Sequence, residues 1–218
     1  MRTLLFILIV SFTCFNSFAQ EDEKEMKTLF GDGKIVGVYG SFDLKTGPVR
    51  DNINLFLGGQ GAIMFNSNFY VGLGGYGLST IENFNGEDPS IPETDTSNRS
   101  VNIDMSMGYG GLILGYTIAP NSLVHIDFPV LIGAGGVRLG DNEISIYDRD
   151  FPVSPLVENS AFFVVEPGIN VEINLANFCK MGLGGGYRYV YGTDMFNVND
   201  NDLSDWTANF SLKFGKFN

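Results

Sequence analysis

Apolar and polar residues alternate one by one through most of this chain, the period-2 signature of strands with two unlike faces. The clearest run is Val101–Tyr116, with Val101, Ile103, Met105, Met107, Tyr109 and Ile113 on one face and Asn102, Asp104, Ser106, Gly108 and Gly110 on the other. In Ala161–Leu175, Phe163, Val165, Pro167, Ile169, Val171 and Ile173 alternate with Glu166, Gly168, Asn170, Glu172 and Asn174. The same period marks strands near Lys34–Leu44, Ile53–Phe65, Phe69–Thr80, Leu123–Val137, Lys180–Tyr191 and Trp206–Lys216. Eight strands are therefore predicted. Pro167 is the awkward position, because proline has no ladder donor.

The connections are of two kinds. Asn66-Ser67-Asn68, Ala119-Pro120-Asn121-Ser122 and Ala176-Asn177-Phe178 are short turns. Between them lie long polar loops near Glu82–Ser100, Arg138–Asn159 and Gly192–Asp205, and a modest one at Lys45–Asn52, with net charges of −4, −3, −4 and +1. Short turns at one end and long loops at the other are the plan of outer-membrane barrels. The expected fold is all-β, an eight-stranded antiparallel up-and-down transmembrane β-barrel over residues 34–218, with the short turns and both termini on the periplasmic side.

The start of the chain agrees with export. Met1-Arg2, an apolar run from Leu4 to Val10 and Ser17-Phe18-Ala19 before Gln20 read as a signal peptide over 1–19, cleaved after Ala19. The apolar run is too short to cross a bilayer as a helix. Residues 20–33 form a short acidic segment. Cys14 leaves with the leader, so Cys179 remains alone and no internal disulfide can form. Of 13 basic residues only Arg2 is removed, which takes the net charge from −12 to −13. Such acidity excludes nucleic acid as a partner.

Alternation does not say which face is outside. A soluble barrel would carry both signs of charge on its polar face. Here that face is mostly small: Gly72, Gly74, Gly108, Gly110, Gly182, Gly184 and Gly186. Small residues suit a narrow lumen, so the apolar face is expected to meet lipid. Phe69, Tyr109, Tyr187, Tyr189, Tyr191, Trp206 and Phe214, near strand ends on that face, would form its aromatic girdles.

The segments VVEPGINVEINL (Val164–Leu175), MGLGGGYRYVYG (Met181–Gly192) and WTANFSLKFGKF (Trp206–Phe217) resemble the small outer-membrane β-barrel family of the OmpA/OmpX type. The resemblance covers nearly the whole mature chain. It implies the outer membrane of a Gram-negative bacterium, outer-membrane lipids and lipopolysaccharide as surroundings, and the barrel-assembly machinery as a partner that reads a final aromatic. Trp206, Phe210, Leu212 and Phe214 keep that alternation, whereas Lys216 and the terminal Asn218 depart from it.

Inward charges should form a polar network in the lumen, from Asp104, His125, Asp127, Glu166, Glu172, Arg188 and Lys213, with Asp43 beside them. His125 and Asp127 read as a lumen hydrogen-bond pair. They also faintly resemble the histidine-carboxylate pair of lipid A-modifying barrels, but they lie at the end opposite the outer leaflet and no nucleophilic serine alternates with them. Counting out from the turn at Asn177 sets Glu166 opposite Arg188, an expected ion pair that Asp104 could share. Asp200, Asp202, Ser204 and Asp205 resemble half a calcium loop without its turn glycine, and solvated acid is the preferred reading. No catalytic residue, cofactor or resident metal is assigned. The expected function is that of a non-enzymatic envelope barrel, structural or adhesive through its loops. A small pore is the alternative, and a lipid A-modifying enzyme ranks third.

Overall fold

The structure is a computed structural model that describes residues 35–217 apart from 51, 66, 81, 88–99 and 142–156. The leader, the acidic segment, Cys14 and much of two long loops lie outside these residues. The strands are β1 (Ile35–Val49), β2 (Asn52–Phe65), β3 (Phe69–Leu78), β4 (Glu82–Glu87), β5 (Ser100–Ile118), β6 (Val124–Asp141), β7 (Val157–Ala176), β8 (Cys179–Tyr191) and β9 (Asp205–Lys216). One helical turn, α1 (Asp200–Leu203), precedes β9.

Each strand pairs antiparallel with its neighbours, and the β3–β5 pairing closes eight of them into a barrel. The short β4 is an outlying continuation of β3 that pairs with the far half of β5. Following partners around the wall, Ile126 leads through Val171, Leu183, Phe210, Leu44, Leu57, Gly77 and Gly108 to Gly136, on the starting strand ten residues further on. A shear of ten with eight strands tilts them by about 40° and leaves a lumen that side chains can fill. The two mid-strand prolines are absorbed as gaps. The β6–β7 ladder skips Phe128 and Pro129, and the β7–β8 ladder skips Glu166 and Pro167.

Several connections are shorter than the sequence suggests. β1 runs on through Lys45-Thr46-Gly47-Pro48-Val49, and Val49 pairs with Asn52, so the expected Lys45–Asn52 loop shrinks to a tight turn that begins at Arg50. Gly47 and Pro48 read as turn residues, but pairing with β2 on one side and β9 on the other holds most of this stretch in the wall. Arg50 takes the left-handed backbone (φ 56) that such a tight hairpin requires. Three contacts hold it: its N–H donates to Asp202 O at 2.6 Å, its Nη1 to Asn197 O at 2.7 Å, and its guanidinium lies 3.8 Å over the Phe84 ring. Arg138 and Asn159, expected in a loop, pair with each other in the β6–β7 ladder.

The outer face of the closed barrel is apolar over its lower and middle part. Val38, Phe42, Leu57, Ile63, Leu73, Ile126, Ile132, Ile169, Val171 and Leu183 are all exposed there. Phe163, Tyr187, Tyr189, Tyr191 and Trp206 cluster near the loop end, and Phe214 lies near the turn end.

Towards the loops the polarity of the wall reverses, and this corrects the reading of the strand that looked clearest. Ile103, Met105, Met107, Tyr109 and Ile113 are buried inside the barrel, whereas Asn102 and Ser106 are exposed and Asp104 shares their outward register. Below this level β5 turns Leu112, Tyr116 and Ile118 outward. Gly108 and Gly110 therefore belong to the outer face, and Tyr109 is a lumen residue rather than part of a girdle. The residues of β5 do alternate as expected. What changes is the character of the outward residues, apolar low on the strand and polar above it.

Candidate functional site in the barrel lumen

The lumen is filled in layers. The layer near the short turns is ionic. Lys213 on β9 donates to Asp127 Oδ2 at 3.1 Å and forms a second ion pair with Glu172 Oε1. Asp127 also accepts from Tyr70 Oη at 2.9 Å and Thr117 Oγ1 at 3.0 Å. His125 Nε2 lies 3.1 Å from Glu172 Oε2, and its Nδ1 lies 3.3 Å from Ser122 O. The Lys180 ammonium sits 4.5 Å over the ring of Phe217, which stacks on Tyr39. The final aromatic of the described chain thus points into the lumen floor, while Lys216 beside it is exposed. Every one of these polar groups has lost water, so each depends on its partners.

The next ionic layer lies nearer the loops. Glu166 accepts from Lys45 Nζ at 2.9 Å, Tyr109 Oη at 2.9 Å and Thr207 Oγ1 at 3.0 Å. Tyr76 Oη donates to Asp43 Oδ2 at 2.9 Å, and the Lys45 ammonium lies 3.6 Å from the centre of the Tyr76 ring. Arg188, fully buried, donates from Nε to Leu203 O at 2.7 Å and from Nη2 to Pro48 O at 2.8 Å. Its guanidinium lies 4.8 Å over Phe56. Between the two ionic layers is a cavity of about 30 Å³.

Above Arg188 the lumen is apolar. Val49, Ile103, Met105, Leu139, Phe162, Val164, Val190, Val198 and Leu203 are buried together. Val198 and Leu203 come from the β8–β9 connection, which folds inward over the mouth. Asn199 caps α1 in a reciprocal pair with Asp202, and Asn197 bonds both backbone groups of Glu87 at 3.0 Å. Asp200 accepts from the N–H groups of Gly192 at 3.1 Å and Thr193 at 2.7 Å. Its slight burial works the other way, yet those two donors hold its carboxyl below the usual carboxylate range.

The structure separates the sequence-predicted residues into three groups. His125, Asp127, Glu172 and Lys213 meet in one network, and Asp43 and Glu166 line the lumen higher up. The His125–Asp127 pairing is corrected, since His125 bonds Glu172 from the adjacent strand and Asp127 bonds Lys213. Glu166 is level with Arg188, because Val165↔Tyr189 and Gly168↔Gly186 frame it in register. The expected ion pair is nonetheless replaced. Glu166 turns to Lys45 across the lumen, and Arg188 reaches upward to two carbonyl groups. Asp104 is removed from the network because it faces outward, above the apolar band. Asp200, Asp202 and Asp205 turn to separate backbone N–H groups, those of Thr193 and Gly192, Asn199, and Trp206. Among the described residues no three His, Cys, Asp or Glu side chains converge on a metal position.

Sequence reasoning missed Lys45, Lys180 and the inward tyrosines Tyr39, Tyr70, Tyr76 and Tyr109. Lys45 shares the parity of Asp43, and extending that strand by one further pair would have placed it inside. The tyrosines pass for apolar residues in a two-letter pattern, although their hydroxyl groups supply donors that the buried carboxylates need.

No protein-family model matches this chain, and no curated protein matches it. Among solved structures, a major outer membrane protein from Thermus thermophilus aligns with a TM-score of 0.53 at 9% identity, covering 82% of this chain and 99% of its own. The fold is that of the small outer-membrane β-barrels. At such identity the likeness is one of fold alone. Neisserial surface protein A aligns with a TM-score of 0.49 and the attachment invasion locus protein Ail of Yersinia pestis with 0.46, at 9% and 10% identity over 82% of this chain and 95% and 96% of their own. Those two scores are too low to carry an argument.

Proposed function

We propose that this protein is a non-enzymatic outer-membrane barrel whose lumen is a structural plug and whose activity lies on its loop end, as an envelope-stabilising or adhesive surface. The observation that carries this reading is that, among the described residues, two ionic layers and an apolar cap fill the lumen, with a cavity of about 30 Å³ between the ionic layers. A solute path would have to break buried ion pairs and move Leu203 and Val198 together. Towards the loops, β4 to β7 present a polar outer wall with Asn102, Ser106, Arg138 and Asn159 exposed, suited to water and external contacts rather than to acyl chains. The partners under this reading are outer-membrane lipids, lipopolysaccharide and the barrel-assembly machinery, with an external ligand met by the loop end. The pore reading loses support from the closed lumen. The lipid-modifying reading loses support from His125, which is locked against Glu172 near the short turns.

Planar-bilayer recording of the refolded barrel tests this directly. The expected trace is flat across the usual voltage range. Steady unit steps in the wild-type protein would replace the plug with a pore.

A further inference from the structure

The cavity between the ionic layers is lined by Asp43, Asn170, Asn209 and Ser211, and one oxygen of each has no protein partner. These are Asp43 Oδ1, Asn170 Oδ1, Asn209 Oδ1 and Ser211 Oγ. Asp43, Asn170 and Ser211 are only 3%, 5% and 4% exposed, so bulk solvent does not supply the missing bonds. Orphaned oxygens of this kind are uncommon in a folded interior, and here four belong to residues of β1, β7 and β9 that line one space. A volume of about 30 Å³ is room for roughly one or two waters. Inward-facing Gly168 and Gly186 line the same space and leave it open.

We propose that this cavity is a built hydration site, in which two ordered waters donate to Asp43 Oδ1, Asn170 Oδ1 and Asn209 Oδ1 and accept from the Ser211 hydroxyl. The donor inventory favours water. Three of the four orphans are pure acceptors, so the occupant must bring hydrogens or positive charge. The charge inventory then decides between them. Among the described lumen residues Asp43, Asp127, Glu166 and Glu172 are matched in number by Lys45, Lys180, Arg188 and Lys213. A metal cation would unbalance that set and would share the cavity wall with Lys45. Water satisfies the acceptors without adding charge. Held among buried polar side chains, it should exchange slowly with bulk.

Crystals of the full barrel grown in sodium chloride, at a resolution that shows ordered water, and then soaked in rubidium chloride provide the test. The expected result is density within about 2.7–3.2 Å of at least three of the four oxygens, with no anomalous signal at the rubidium edge. A rubidium peak would assign the site to a cation and overturn the proposal. So would a cavity without density, or side chains turned to bond one another. Water-oxygen relaxation dispersion in detergent gives a second readout. The wild type should show a slowly exchanging component that the paired change Asn209→Leu and Ser211→Val abolishes while the heat-modifiable barrel band is kept. A wild type with no slow component would also overturn the proposal.

Discussion

Replacing Lys213 by methionine keeps most of the side-chain volume and removes the ammonium that forms ion pairs with both Asp127 and Glu172. At 3.1 Å and an effective dielectric of 20, its attraction to Asp127 alone is worth about 5 kcal/mol. Most of that offsets the cost of stripping water from both ions. The measured quantity is instead the cost of leaving two buried carboxylates facing one another, with side chains 0% and 2% exposed. Breaking a buried pair in this way costs about 3–5 kcal/mol. Lys45→Met is the internal control. It deprives a single carboxylate, and Glu166 keeps the hydroxyl groups of Tyr109 and Thr207, so a loss of about 2 kcal/mol is expected. Unfolding by urea in lipid vesicles, followed by the emission of Trp206, the single tryptophan, gives both numbers. Adding Asp127→Asn and Glu172→Gln to Lys213→Met should restore at least half of the loss. If Lys213→Met costs no more than Lys45→Met, or the triple change restores nothing, the basal layer is not the buried ion network described.

The reversal of polarity along the wall predicts opposite responses to arginine. Ile169→Arg should cost about 2–4 kcal/mol in the same vesicle assay, because it meets lipid, whereas Ser106→Arg should change stability by less than about 0.5 kcal/mol. Gly115→Ala should weaken the basal layer, since a Cβ there would overlap the Tyr70 ring, while Gly77→Ala, with nothing within 4 Å, should leave the melting temperature unchanged. Because its carboxyl is held low in the folded loop, Asp200 stabilises the cap above its ordinary pKa of about 3.9. Its contribution should fade as pH drops through the lower folded value, seen as acid-induced protease sensitivity at Gly192–Asp194 that Asp200→Asn shows already at neutral pH. Cys179, half-buried at a short turn, should react with a membrane-impermeant thiol reagent only after the outer membrane is breached. Labelling of intact cells would invert the topology.

The residue order determined the eight barrel strands in outline, the side-chain alternation and much of the register on its own, because each is a local consequence of extended backbone, whereas β4 (Glu82–Glu87) fell within an expected loop. The lipid band was legible in Phe163, Ile169 and Val171, and the level of Glu166 opposite Arg188 followed from counting out from one turn. Alternation assigns residues to shared faces but carries no sign for inside and outside. On β5 that sign comes from height, since Ile103 and Met105 lie above the apolar band and are buried in the same cluster as Leu203, which puts Asp104 outside. The choice of ion partner was equally beyond the sequence. Closing eight strands with a shear of ten brings Lys45 of β1 to Glu166 of β7, and Lys213 of β9 to Asp127 of β6, across a narrow lumen. Separations of 121 and 86 residues leave no periodic trace, so only the closed wall decides which buried charge meets which.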